Sequence, residues 1–135
     1  MNGLSQVCLT QARYDRALAY SQAAASILEE TTAQADYAIA LYHMGRCHYE
    51  LDHMARAEQC FEHALVQFHT VDDRERENYS LAYLGKIYAQ RQQIWSALAC
   101  YEAVLDSLAT QPFWAEAEPL LAIVLPAIDA ICQSA

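Results

Sequence analysis

Glycine and proline are scarce in this chain of 135 residues, with 3 of each. A β-rich domain needs many turn-forming residues, so the shortage argues against strands joined by tight turns. Alanine, leucine, glutamine and glutamate fill the long intervals between the few breakers, and they favour helix. The 55% hydrophobic fraction is ample for a continuous core. The composition therefore predicts an all-α protein with one domain.

Basic residues are also few, with 8 lysines and arginines against 17 aspartates and glutamates, which gives a formal net charge of −9. A field of that sign repels phosphate backbones and anionic lipids, so we expect neither nucleic acid nor membrane as a partner. The most apolar run, from Leu120 to Ile131, is interrupted by Pro126 and Asp129. It is shorter than the roughly 20 residues of a membrane-spanning helix.

Short paired cysteine spacings are missing as well. The odd number of cysteines and the absence of a recognisable signal peptide predict a reduced, cytoplasmic protein. The five are Cys8, Cys47, Cys60, Cys100 and Cys132.

Sequence motifs for catalysis or cofactor binding are absent too. Cys60 and His63 lie three residues apart on one helix face, but no CxxC, no His-Glu-x-x-His and no second close pair accompanies them. The isolated glycines form neither a phosphate loop nor a nucleophile elbow. We therefore expect no catalytic residue, no metal, no cofactor and no enzymatic activity.

What the chain does contain is an internal repeat. Residues 41–65 align with residues 81–105 at a constant shift of 40, and a weaker copy lies upstream around Ala17. The matched positions include Gly45 with Gly85, Ala57 with Ala97, and Phe61 with Tyr101. Apolar or small residues recur every three or four positions, so each copy is predicted to be a helical hairpin. The small residues let the paired helices approach closely.

The phase of the repeat predicts the helix boundaries. We expect helices near residues 1–10, 14–30, 33–51, 54–69, 73–91 and 94–110, followed by a C-terminal segment.

At these positions the chain resembles the tetratricopeptide repeat family, in its subgroup with repeats of roughly 40 residues. The family pattern is met by Leu84-Gly85-x-x-Tyr88 and by Ala57-x-x-x-Phe61. The chain departs from it in its period of 40 rather than 34. It also has leucine at 41 and 81 for the usual Trp, and His69 or Ala109 for the terminal Pro.

The resemblance implies a right-handed superhelical stack of antiparallel helix hairpins, an α-solenoid. It places three hairpins in residues 1–110, at approximately 1–32, 33–71 and 72–110, and a capping helix in 111–135. It also implies a scaffold or adaptor that binds a partner peptide or protein in the concave groove. Because the first copy begins inside its first helix, we expect a fragment of a longer array.

Single positions of the family's concave groove can be carried over to this sequence. They fall on Ile39, Tyr42, His43, Arg46 and Tyr49 in the second repeat and on Tyr79, Ala82, Tyr83, Lys86 and Gln90 in the third. Arg46 and Lys86 occupy the same repeat position, which favours an acidic peptide as the ligand. The alternative is that the tyrosines only pack between repeats and that the lysine is only solvated.

The C-terminal segment breaks the repeat. Its helix is expected to begin near Pro119, with Pro126 either kinking it or opening a second segment. Its apolar residues spread around most of the helix, so a partner or homodimer surface is predicted at Leu121, Val124, Leu125 and Ile128. The alternative is that a groove beside the third repeat buries them all. The corresponding alternative function is self-association, or a regulatory module of a larger multidomain protein.

Overall fold

The computed structural model describes residues 3–29, 33–110 and 117–134. These ranges form helices with no strand, so the predicted all-α class is confirmed for them. The helices are α1 (Gly3–Glu29), α2 (Gln34–Glu50), α3 (Met54–Thr70), α4 (Arg74–Gln90), α5 (Ile94–Thr110) and α6 (Ala117–Ser134). None of the described helices is both long and apolar enough to cross a bilayer.

The chain divides into two compact units, residues 1–67 and 68–135. In the first unit, α2 packs against α1 on one side and contacts α3 through Gly45 and Tyr42. In the second unit, α4 packs against α5, and α6 packs against both. The core of the second unit joins these three helices around Tyr101, Val104 and Leu120. Side chains of residues 3–10 lie outside the described set, as do residues 111–116 of the predicted capping segment.

The predicted boundaries of α2 to α5 are confirmed to within two residues. Three-residue turns separate these helices at 51–53, 71–73 and 91–93. The middle residue of each turn is left-handed, with φ of 65° at Asp52, 59° at Asp72 and 64° at Gln92. The next residue donates its N–H five positions back, from His53 to His48, from Asp73 to Phe68 and from Gln93 to Tyr88. This closure satisfies a carbonyl that would otherwise be left unpaired at each helix end.

The predicted pair of helices at 1–10 and 14–30 is wrong, because α1 runs without a break from Gly3 to Glu29. The first predicted hairpin, 1–32, therefore holds one helix in its described residues. The physical reason is local: Gln11, Ala12 and Arg13 are good helix formers, and no glycine or proline interrupts them. The 40-residue repeat predicted a turn at residues 11–13, but these residues favour helix.

The C-terminal helix begins at Ala117 and continues through Pro126 to Ser134. The expectation that Pro126 opens a second segment is therefore wrong. A proline inside a helix removes one N–H donor and crowds the preceding turn, but the neighbouring turns remain hydrogen-bonded. Burial of Leu120, Val124 and Ile131 against α4 and α5 supplies the packing that holds the helix on both sides of the proline.

Glycines 45 and 85 each lie in close contact with an aromatic ring of the next helix. A β-carbon added at Gly45 would lie 2.9 Å from Cε1 of Phe61, and one added at Gly85 would lie 2.5 Å from Cε1 of Tyr101. Both rings are fully buried. Each ring lies directly against the helix backbone at the glycine, which is the packing role that the repeat predicted for the two glycines.

We expect Gly85→Ala to lower the free energy of unfolding by about 1–3 kcal/mol, because the methyl group overpacks a closed contact. Gly45→Ala should lower the free energy of unfolding by less, because a β-carbon at Gly45 would lie farther from Phe61 than one at Gly85 from Tyr101. Thermal and urea unfolding measure both variants. In a Tyr101→Leu background the smaller side chain should remove most of the Gly85→Ala cost. An undiminished loss of stability in that background would show that the cost of Gly85→Ala does not come from contact with the Tyr101 ring.

Gln92→Gly is expected to raise the free energy of unfolding by about 0.5–1 kcal/mol. A left-handed backbone costs a residue with a β-carbon about 1–2 kcal/mol, and glycine removes this cost. Part of the gain is offset because glycine loses more chain entropy on folding. Urea denaturation measures the change. The control is Ala99→Gly, an exposed site inside α5, where glycine should destabilise by about 1 kcal/mol. A loss of stability in both variants would contradict the role assigned to the turn.

Candidate functional site

In the first unit, three predicted groove residues lie together beside α1. Ile39, His43 and Arg46 share one side of α2 because they are four and three residues apart. They line two adjoining clefts between α1 and α2, of about 260 Å³ and about 390 Å³, which share Ser21 and His43. We call this pair of clefts the α1–α2 furrow.

The α1–α2 furrow is mostly apolar, with charged groups along its edge. Small residues of α1 form one wall, including Ala17, Ser21 and Ala24. Tyr14 and Tyr20 add aromatic surface. The charged lining consists of the exposed Arg46 together with Asp36 and Glu50. The furrow can therefore take an apolar side chain and hold an acidic group next to Arg46.

Tyr42 and Tyr49 do not line the furrow. The ring of Tyr42 packs edge-on against Phe61 of α3, with the ring centroids 5.8 Å apart. Tyr42 and Tyr49 are both half-buried. The ring of Tyr42 therefore packs within its own hairpin, between α2 and α3.

The predicted residues of the second unit also divide between core and surface. Ala82 is fully buried in the core, and Tyr79 packs against that core, so the expectation that Ala82 faces a groove is wrong. Tyr83 and Lys86 are half-buried, and Gln90 is exposed. The Nζ atom of Lys86 lies 5.3 Å from the centroid of the Tyr83 ring, within range of a cation–π contact.

Of the four residues predicted as a C-terminal partner surface, only Leu125 is exposed, at 51%. Val124 is fully buried, so its expected place on a surface is wrong. Leu121 and Ile128 are half-buried and pack against the core of the second unit. The physical reason is that α6 contacts α4 and α5 together, and two neighbours cover more of its circumference than one would.

The thiols of Cys47 and Cys60 are not activated. Burial raises the pKa of Cys47, and this outweighs the lowering effect of the neighbouring Arg46. Burial likewise raises the pKa of Cys60. A thiol with a raised pKa carries little thiolate at neutral pH and is a poor nucleophile or metal ligand. In the part of the chain that is described, no three His, Cys, Asp or Glu side chains gather in a way that could hold a metal ion.

A polar cleft of about 370 Å³ in the second unit was missed by the sequence interpretation. Asn78 is 2% exposed and donates a hydrogen bond from its amide nitrogen to Oγ of Ser107, at 3.1 Å. The sequence signal was the departure from the repeat, since Asn78 takes the position of the fully buried Ala38. The buried amide explains why this hairpin needs a hydroxyl on α5.

A histidine pair at the end of α2 was also missed. His48 is 4% exposed, and its Nδ1 lies 3.3 Å from Nδ1 of His53. Burial lowers the pKa of His48, and the nearby His53 and Arg56 lower it further. The 40-residue repeat places Tyr88 and Gln93 at the equivalent positions, so this pair belongs to the first unit only.

Comparison with family models, with curated proteins and with solved structures yields no match for the chain.

Acidification should destabilise the first unit through His48. Its folded-state pKa lies below the ordinary imidazole value of 6.5, so the folded state binds the proton less readily than the unfolded state. The stabilising contribution is complete above that unfolded value and is lost as the pH falls through the folded pKa. Thermal unfolding between pH 7.5 and pH 5 measures this loss.

Replacing His53 by Gln should flatten that pH dependence, because it removes one of the groups that oppose protonation of His48. His43→Gln is the matched control, since His43 is an exposed histidine on α2, the helix that carries His48. Equal pH profiles for wild type and His53→Gln would contradict the effect of His53 on the pKa of His48.

Proposed function

We propose that the chain is a non-catalytic protein–protein interaction module, with the scaffold or adaptor role of a tetratricopeptide-type helical repeat. The proposal includes the right-handed superhelical order of its hairpins and a cytoplasmic setting. It is supported by the 40-residue repeat and by the recurrence of one contact in both units, a buried aromatic ring seated on a helix glycine.

The observation that carries the proposal is the α1–α2 furrow. Ile39, His43 and Arg46 line an open, largely apolar depression between α1 and α2. Concave, mainly apolar sites with a few polar groups are the usual form of a binding site. A furrow between two rigid helices also holds its shape before binding, which lowers the entropic cost of association.

The proposed ligand is an extended peptide with an apolar anchor and an acidic group at Arg46, which is the one cationic residue of a lining that also contains Asp36 and Glu50. Arg46 offers a planar guanidinium that can bind a carboxylate with two hydrogen bonds. The methylene and aromatic lining of the furrow suits a Leu, Ile or Phe side chain.

In the second unit the corresponding candidate is the pair formed by Tyr83 and Lys86. The ammonium group near the aromatic ring fixes a positive charge at the position that repeats Arg46. We propose that this pair is, within the second unit, a contact for an acidic group. Tyr contributes contact area with a polar tip at low entropic cost, which suits a recognition surface.

The test is selection from a random peptide library displayed on phage, followed by fluorescence anisotropy with the selected peptides. We expect enrichment of acidic residues beside an apolar one, and affinity that falls as salt rises. Arg46→Glu/Lys86→Glu should weaken binding about tenfold or more, because like charges then face each other.

The matched control is Arg56→Glu/Arg91→Glu, which makes the same change of charge at exposed positions on other faces. Its affinity should stay close to that of the wild type apart from the general effect of net charge. Selected peptides without acidic residues, or equal losses in both double variants, would argue against the proposed surface.

A further inference from the structure

The α1 side of the furrow occupies repeat positions that are closed in the other two copies. We call four of its residues the α1 wall: Ala17, Ser21, Ala24 and Leu28. Two shifts of 40 carry them onto α5, at Ala97, Tyr101, Val104 and Leu108. These α5 residues lie in the core of the second unit and are at most 6% exposed. On the α1 wall, by contrast, Ala17 is exposed and the other three residues are half-buried.

In the closed copies the residues at these positions pack on the helix that precedes them in the chain. Phe61 lies against α2 at Gly45, and Tyr101 lies against α4 at Gly85. Both rings align with Ser21 of the α1 wall. The repeat therefore assigns the α1 wall to contact with a paired helix. In the described residues of the first unit, that wall borders the open furrow instead.

The small side chain of Ser21 determines what such a helix must carry. In both closed copies a large ring on the second helix meets a glycine on the first. Serine is much smaller than these rings, and it lines both clefts of the furrow. A docked helix with glycine at the facing position would leave this space empty and lose packing contacts. A leucine or phenylalanine there would fill it, so the sizes of the two partners are reversed relative to the other hairpins.

Two exposed apolar residues of α1 border the same wall. Tyr20 lines the furrow and is 77% exposed. Ile27 is 68% exposed and aligns with Ser107, whose Oγ accepts the hydrogen bond from Asn78 of α4. The repeat position of Ile27 therefore also faces the paired helix in the third copy. A helix docked on the α1 wall would cover apolar surface that is otherwise left in water.

The furrow has the dimensions of a groove for a helix. Its lining runs from Tyr14 to Leu28 on α1 and, in the opposite direction, from Glu50 to Asp36 on α2. At a rise of about 1.5 Å per residue the α1 side is about 21 Å long, which matches a helix of about four turns. On each helix the lining residues recur at steps of three or four, the spacing with which helices pack side by side.

We infer that an amphipathic α-helix of a partner protein docks in the furrow along the α1 wall, with a bulky apolar side chain facing Ser21. The docked helix completes the first copy as a hairpin. A second copy of this chain is a poor source of that helix. Its helices at the pairing position of the repeat are α2 and α4, which carry glycine there and already cover their own rings.

The docked helix also regulates the furrow. It excludes the acidic peptide, because both ligands need the same space. This competition rests on the proposed function, whereas the docking itself does not.

A peptide that copies α2 tests the docking, because α2 is a pairing helix of the repeat. It is made as Gln34–Glu50 and again with Gly45→Leu, and its binding to the complete chain is measured by isothermal titration calorimetry. The Gly45→Leu form should bind at least about tenfold more tightly than the glycine form. A helix of 17 residues is only marginally stable in water, so circular dichroism should show a gain in helix on binding.

Substitutions in the chain locate the peptide. Ser21→Phe restores the ring of the other copies and should reverse the preference, so that the glycine form binds about tenfold more tightly. Ala17→Glu places a charge on the α1 wall and should weaken binding of the Gly45→Leu peptide about tenfold or more. Ala19→Glu is the matched control, because it makes the same change at an exposed position of α1 outside the furrow lining. It should bind like the wild type.

Equal affinity of the wild type for the two peptide forms, or equal losses in Ala17→Glu and Ala19→Glu, would overturn the inference. Binding without a gain in helix would also overturn it, in favour of an extended occupant. A wild-type dimer in sedimentation velocity that Ala17→Glu dissociates would overturn it in favour of a second copy.

The docking is measured without any acidic peptide, so its failure and the failure of the proposed function are separate results. Displacement of a selected acidic peptide by the Gly45→Leu peptide would support the competition. Simultaneous binding of both peptides would overturn it.

Discussion

The contact between a helix glycine and a buried aromatic ring determines how each hairpin is built. With no β-carbon at Gly45, the ring of Phe61 reaches the backbone of α2, and Tyr101 reaches the backbone of α4 at Gly85 in the same way. The contact sets both the distance between the two helices and the rotation of the first one. A helix turned by one residue would present a side chain where the ring now lies, so alternative registers are excluded by volume.

The rotation of α2 in turn determines which residues can meet a ligand. Since Gly45 faces α3, the side of the helix that carries Ile39, His43 and Arg46 faces α1 and solvent, where the furrow forms. Tyr42 lies between these two directions, and its ring is used for packing on Phe61. The division of the predicted groove residues into lining and packing residues thus follows from one close contact.

The parts that were predictable from sequence are those that depend on local chemistry or on the repeat. The α2 to α5 boundaries and the role of the two glycines belong to this group. The long α1 was predictable from Gln11 to Arg13 but was assigned a break because the repeat outweighed local propensity. The burial of Val124 depends on how two neighbouring helices cover α6. The histidine pair depends on the turn conformation that brings His53 back towards His48. Neither can be read from a periodic pattern.

The three left-handed turns have one further consequence, for how such a chain can change in length. Their middle residues, Asp52, Asp72 and Gln92, are spaced by 20, and the backbone has closely similar φ values at all three. A segment of 40 residues cut from turn to turn begins and ends in the same local geometry. Duplication or deletion of that segment therefore joins ends with the same local backbone conformation, and no new loop has to form. The turn, rather than the helix, is the natural point at which an array of this kind gains or loses a repeat.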